Sequence, residues 1–245
     1  MGRRPALNRK DEQQESPEEI PLQGGQLTPG IVRVGHTVRR LPKGNAAFIH
    51  ELLLFLEGKG FPFAPRFFGR DEQGRDILSY LEGETWPGSG SGLSDELLEQ
   101  AARAIRRYHD ATVGSRLSQG HEIVAHHELG PHNTIFQGGH LIGFIDWDDA
   151  APGTRLHDLA NAIYNYVDVS HWANQAAEEQ ARRIRLMCAA YGWDDPIAIV
   201  NDFEADLQQA LRNHEQAGRA GAIKIFAEEV NWMRHRAQNL RLVLP

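Results

Sequence analysis

Cysteine is nearly absent from this chain: Cys188 is the single one among 245 residues, so no internal disulfide can staple the fold. No apolar run approaches the roughly 20 residues that cross a bilayer. The first 22 residues mix charges of both signs and lack the apolar stretch of a secretory signal. An excess of positive charge is also missing. With 26 lysines and arginines against 33 aspartates and glutamates, the formal net charge is −7, which argues against a general nucleic-acid binder. These absences predict a soluble, cytoplasmic protein with neither membrane nor nucleic acid as partner. Acidity keeps such a protein soluble and is compatible with a cationic ligand. A chain of this length buries a sizeable core without disulfide or metal support.

Residues 1–22 are polar and aperiodic and predict a mobile extension. A small lobe follows over 23–82. Ile31 to Val34 and Thr37 to Arg40 read as strands after the turn glycines Gly24, Gly25 and Gly30. Asn45 then precedes a helix with Ile49, Leu52, Leu53 and Leu56 on one face. Pro65 to Gly69 and Asp76 to Leu81 flank a hairpin turn. The Gly-, Ser- and Pro-rich stretch from Gly83 to Gly92 marks a boundary between lobes. Ser94, followed by Asp95 and Glu96, caps the first helix of a mainly helical second lobe over 83–245, with further helices around 173–191, 197–217 and 219–241.

The unusual residues concentrate in 125–160. Ile135-Phe136 and Ile142 to Ile145 predict two strands joined by a turn at Gly138-Gly139. Glu128 and Asn133 precede the first strand, and Asp146 and Asp148 follow the second, so all four converge at one end of a hairpin. Carboxylates beside a carboxamide form an oxygen-rich site suited to Mg²⁺, which binds through few protein oxygens and through substrate phosphates. A zinc-protease reading fails, because His121 and His126 lie five apart rather than the four that share a helix face. Trp147, between two acids, is read as core rather than as a stacking surface.

These residues resemble the aminoglycoside phosphotransferase and choline kinase-like family. Its catalytic loop runs His-Gly-Asp, four residues, then Asn; here His126-His127-Glu128 leads to Asn133. Ile145-Asp146-Trp147-Asp148 is similar to its metal motif, and Leu156 to Ala160 to its continuation. The resemblance implies an α+β, bilobal protein-kinase-like fold: a small antiparallel-sheet N-lobe with one helix, and a larger mainly helical C-lobe. It implies transfer of the γ-phosphate of ATP or GTP, with Mg²⁺, to a hydroxyl of a small acceptor such as an antibiotic, amino alcohol or sugar. By the same resemblance Glu128 takes the catalytic-base position, Asn133 and Asp146 bind metal with Asp148 as a further ligand, and Arg40 takes the place of the nucleotide-binding lysine or arginine. Ser79 and Leu81 fall in the nucleotide-binding hinge, Gly25 in the loop over the phosphates, and His126 and Asp158 are structural.

Three departures stand out. Glu128 replaces the family's aspartate, and an extra methylene displaces the carboxylate on a scale where about 1 Å costs on the order of a hundredfold in rate. His127 replaces a glycine. The helix after the third strand presents Ile49, flanked by His50 and Glu51, where a glutamate should face Arg40. Two readings follow: an active phosphotransferase, or a catalytically impaired relative that binds nucleotide or a partner. Gly24, Gly25 and Gly30 serve either phosphates or ordinary turns. The acids Asp194, Asp195, Asp202, Glu204 and Asp206 form either an exposed helix face or the wall of an acceptor cleft.

Overall fold

Short β-branched runs broken by glycine turns build a sheet in the first lobe, and long Ala- and Leu-rich periodic stretches build helices in the second. The structure, a computed structural model, describes residues 18–22, 30–88, 90–173 and 175–244. In the first lobe lie β1 (Ile20–Pro21), β2 (Val32–Val34), β3 (Thr37–Arg40), α1 (Ala46–Gly58), β4 (Phe67–Arg70) and β5 (Asp76–Ser79). The strands form one antiparallel sheet in the order β1-β2-β3-β5-β4. Ile49, Leu52, Leu53 and Leu56 are the buried face of α1, as their spacing demands.

Chain continues through β6 (Glu84–Thr85), α2 (Asp95–Thr112), β7 (Ile123–Ala125), β8 (Thr134–Gln137), β9 (His140–Phe144), β10 (Ala151–Gly153), α3 (Arg155–Val167), α4 (Ala177–Tyr191), α5 (Pro196–Gln216) and α6 (Ala220–Val243). A three-stranded sheet, β6-β8-β9, lies at the junction, and β7 pairs with β10 beneath it. Ser94 caps α2, its hydroxyl accepting the Leu97 N–H at 3.3 Å. Leu98, Ile105, Tyr108, Leu159, Ile163 and Ile184 fill the helical core with no side-chain exposure. The architecture is a bilobal, kinase-like α+β fold. No helix among the described residues is long and apolar enough to cross a membrane.

Several boundaries differ from the sequence expectation. The N-terminal extension does not run to residue 22: Ile20 and Pro21 pair with Arg33 and Val32, and Glu19 is tied to Arg75 at 2.7 Å, so an edge strand begins earlier. Asn45 sits at the N-terminus of α1 without capping it; its amide donates to the Ala150 carbonyl at 3.4 Å instead. The boundary stretch holds β6, which crosses to pair with β8. Gly83 permits this crossing, because at its φ of 133° a Cβ would lie 2.4 Å from the Phe136 carbonyl oxygen. Helix α4 starts at Ala177 rather than near 173. Gly25 and Gly24 lie outside the described residues.

Candidate active site

Loop 126–133 connects β7 to β8 and carries the expected catalytic segment. His127 holds φ 66°, a left-handed conformation costly for a residue with a Cβ and free for the glycine that the motif has there. Asp158, on α3 and fully buried, holds the loop in place. Its carboxylate accepts the His127 N–H at 2.8 Å, the His126 N–H at 3.0 Å and His109 Nε2–H at 2.9 Å. Burial alone would raise the Asp158 pKa, but these donors outweigh it and hold it down to about 2. His109 is fixed in turn by the Tyr191 hydroxyl, 2.7 Å from Nδ1. Sequence reasoning missed His109 and Tyr191, since neither lies in the motif segment.

Asn133 ties the loop to the second strand. Its Nδ2 donates to the Glu128 carbonyl at 3.0 Å, and its own carbonyl accepts the Ile145 N–H at 2.9 Å. Asp146 therefore follows directly on the strand end beside Asn133, at φ 58°. The Glu128 carboxyl is half-buried at the same place, and its pKa is raised by burial, then by the charges of Asp146 and Asp149. Glu128, Asn133 and Asp146 are thus brought together.

Arg40, at the end of β3, reaches across the cleft to this point. Its guanidinium lies 3.4 Å from Asp146 and pairs with Asp148, which Lys43 also approaches at 2.8 Å. Burial raises the Asp146 pKa, and the neighbouring Asp148 charge adds to it. Burial pulls Asp148 the same way, but Lys43 and Arg40 overcome it and lower its pKa. Asp148 is therefore paired with two cations. Lys43 was not foreseen, although its place three residues beyond Arg40 was the available signal.

The His126 side chain packs into the core. Its ring is fully buried 4.6 Å from that of Trp147, and neither ring nitrogen meets a partner in full hydrogen-bond geometry. Burial pushes its pKa down to about 4, so the ring packs as a neutral aromatic. Trp147 is core, its indole N–H donating to the Phe144 carbonyl at 2.9 Å.

The donors that could hold a divalent cation are all oxygen. Asn133 spends its amide N–H on the Glu128 carbonyl, which leaves Oδ1 as the free acceptor beside the Asp146 carboxylate. No cluster of three or more His, Cys, Asp or Glu side chains among the described residues could hold a metal. Two protein oxygens fit Mg²⁺, which keeps waters and takes its remaining ligands from phosphates.

Behind this point a cavity of about 550 Å³ opens between the lobes. Val38, Leu78, Ile135 and Ile145 give it apolar walls; Ser79, Tyr80 and Leu81 line one edge, and Arg40, Asn133 and Asp146 the polar end. The size and the mixture of apolar walls with few polar groups suit a small-molecule site. Ile49 and His50 line it where the helix glutamate was sought, and His50 Nε2 lies 2.9 Å from Asp76.

A second cavity of about 140 Å³ lies between α3 and α5, lined by Asn161, Asn165, Asp202 and Asp206. Asn165 Nδ2 donates to the Leu129 carbonyl at 3.0 Å, which joins this cavity to the catalytic loop. His157 Nδ1 lies 3.0 Å from Asp202, whose hydrogen bond raises the His157 pKa, and the His127 ring is 5.8 Å away. The acidic cluster is divided in its duties: Asp195 caps α5 through the Ala198 N–H at 3.0 Å, Glu204 pairs with Arg241 at 3.0 Å, and Asp202 and Asp206 face the cavity. Asn161 and Asn165 carried no motif signal and were missed, and His157, inside the Leu156 to Ala160 stretch, was given no role of its own.

The two lobes, the intervening cleft and the loop geometry define a protein with a kinase-like fold. The chain belongs to the phosphotransferase enzyme family, which matches residues 112–197. The trifolitoxin immunity protein of Rhizobium leguminosarum bv. trifolii is 30% identical over 264 residues, covering 93% of this chain and 99% of that protein. Among solved structures, the GDP complex of an aminoglycoside 2'-phosphotransferase IIIa is similar with a TM-score of 0.59 at 13% identity, over 92% of this chain and 94% of that one. The macrolide 2'-phosphotransferase MphH of Brachybacterium faecium gives 0.57 at 15% identity, over 82% and 86%. At such identities the structural likeness speaks to the fold.

Proposed function

We propose that this chain transfers the γ-phosphate of ATP or GTP, with Mg²⁺, to a hydroxyl of a small acceptor. The observation that carries the reading is the meeting of Glu128 with Asn133 and Asp146, two residues that line the polar end of the 550 Å³ cavity. Val38, Leu78 and Ile135 would hold the nucleobase, Ser79 to Leu81 would face its edge, and Arg40 would meet the phosphates. Asn133 Oδ1 and Asp146 would hold Mg²⁺, which when bound neutralises triphosphate charge.

Glu128 accepts a hydrogen bond from the acceptor hydroxyl and aims its oxygen at the γ-phosphorus. The O–P bond to the acceptor forms as the bond to the β-bridging oxygen breaks, the nucleoside diphosphate leaves, and Glu128 takes the proton. Arg40 and Lys43 stabilise the charge that develops on the leaving phosphate. Asp202, Asp206 and the two asparagines favour an acceptor bearing an amine or several hydroxyls. The immunity role named for the 30% identical relative fits a transferase that modifies a toxic compound.

The pairing of Arg40 and Lys43 with Asp146 and Asp148 favours a second reading, in which the chain binds nucleotide or a partner without turnover. Both are tested by nucleoside diphosphate release with Mg²⁺ across aminoglycosides, macrolides, choline-like amines, sugars and trifolitoxin. Acceptor-dependent release that Glu128→Gln abolishes supports the transferase. Tight nucleotide binding without release in any mixture supports the second reading.

A further inference from the structure

In this family the cation on the third strand needs a carboxylate to hold it toward the phosphates, and α1 offers only Ile49 and His50 where that carboxylate was sought. A buried acid does stand nearby, on a different element. Asp76, at the start of β5, is directly opposite Arg40 across the β3–β5 ladder. Such pairs place their Cβ atoms about 5 Å apart on the same face of the sheet. Both residues line the large cavity, together with the next same-face pair, Val38 and Leu78. Asp76 is only 4% exposed, and its carboxylate lies 2.9 Å from His50 Nε2 and 3.1 Å from Arg70 Nε. The ring of His50 is itself fixed, stacked on Phe67 at 3.9 Å between centroids. Of the two, only Arg70 Nε–H donates in hydrogen-bond geometry, so the carboxylate has acceptor capacity to spare. On the other side of the pair, Arg40 has a buried Nε with no hydrogen-bond partner.

We infer that Asp76, oriented by His50, is the positioning carboxylate for Arg40, so that the acid usually carried by the helix has moved to the neighbouring strand. The inference rests on the reading of the cavity as a nucleotide site. With the cavity empty, Arg40 leans on Asp146 and Asp148. When Mg²⁺ and triphosphate claim Asp146, Arg40 needs a fixed anion behind it to present its guanidinium to the phosphates. Asp76 is that anion, and Arg70 balances its charge so that it does not repel the nucleotide. His50 is then the link by which α1 reports its own position to the phosphate site.

The test is a double-mutant cycle on the full chain, reading Mg·ATP and Mg·GTP dissociation constants by calorimetry, with a thermal melt confirming that each variant is folded. Asp76→Asn should weaken binding about tenfold, as expected for loss of a charged partner, and the loss should vanish in the Arg40→Gln background. Adding His50→Glu to Asp76→Asn should restore affinity to within about threefold, because the carboxylate returns on the helix. A purely structural Asp76 would lower the melting temperature and leave the dissociation constant of the folded protein unchanged, and that result overturns the inference. So does a pair of losses that multiply. Should Asp76→Asn not fold, His50→Gln takes its place in the cycle, with an expected loss of about threefold that also vanishes beside Arg40→Gln. If Arg40→Gln itself leaves nucleotide affinity unchanged, the nucleotide reading of the cavity fails, which is a different outcome from failure of Asp76 alone.

Discussion

Replacing Asp158 with asparagine keeps the shape of the side chain and removes its charge. Three donors converge on this carboxylate: the N–H groups of His126 and His127 and the imidazole of His109. In the asparagine variant an NH₂ must face one of these donors in a site with no solvent exposure, so at least one buried hydrogen bond becomes a clash. A pKa near 2 against the ordinary 3.8 corresponds to about 2.5 kcal/mol favouring the charged native form. Breaking a buried charged network costs about 3–5 kcal/mol, so the electrostatic part is the larger share of the lower bound. For a chain of this size about 3 kcal/mol lowers Tm by roughly 6–12 °C, which scanning calorimetry at pH 7 resolves easily. The sign with pH follows from a depressed native pKa. The stabilisation is complete above the unfolded value near 4 and is lost as pH falls toward about 2, so wild type should lose stability across that window by more than the variant does. A variant within about 2 °C of wild type, or one whose acid destabilisation matches it, refutes the bracing role derived for Asp158.

His127→Gly relieves a Cβ at φ 66° and should raise stability by about 1 kcal/mol, visible as a Tm increase of roughly 2–4 °C. An unchanged or lower Tm would mean that the ring's contact with His157 outweighs the backbone cost. The raised pKa of Glu128 places the acid limb of kcat/KM above the ordinary glutamate value of 4.5, since the ionised form must accept the hydroxyl proton. A limb at or below 4.5 in a pH–rate profile contradicts that assignment. Gly90→Ala puts a Cβ 2.2 Å from the Tyr166 carbonyl oxygen and should destabilise by about 1–3 kcal/mol, read by denaturant midpoint, while leaving nucleotide affinity unaltered.

Much of the fold was legible because its elements carry strong local signals. The apolar spacing of α1, the Ser94 cap and the Gly138-Gly139 turn each specify local structure without help from distant residues, and the structure has all three. What failed to read was set by tertiary pairing. Ile20 and Pro21 make a strand only because β2 offers them an edge and Arg75 anchors Glu19. Glu84 and Thr85, in a stretch whose glycines and proline signal a loop, become β6 only because β8 lies within reach. Asn45 looks like a cap by type, but the Ala150 carbonyl competes for its amide.

The candidate site divides along the same line. Glu128, Asn133, Asp146 and Asp158 lie within one stretch whose spacing predicts their meeting, so a single sequence suffices to place them. Arg40 and Lys43 arrive from the other lobe, and only the folded cleft reveals that they share Asp148. The helix glutamate was sought at one position because a motif fixes position, whereas electrostatics fixes only distance and burial. A carboxylate opposite Arg40 on the adjacent strand satisfies the same physical requirement, and a ladder register places it where no spacing rule in the sequence would look. The departures at Glu128, His127 and Ile49 are therefore better judged by where charge and backbone end up than by the missing letters.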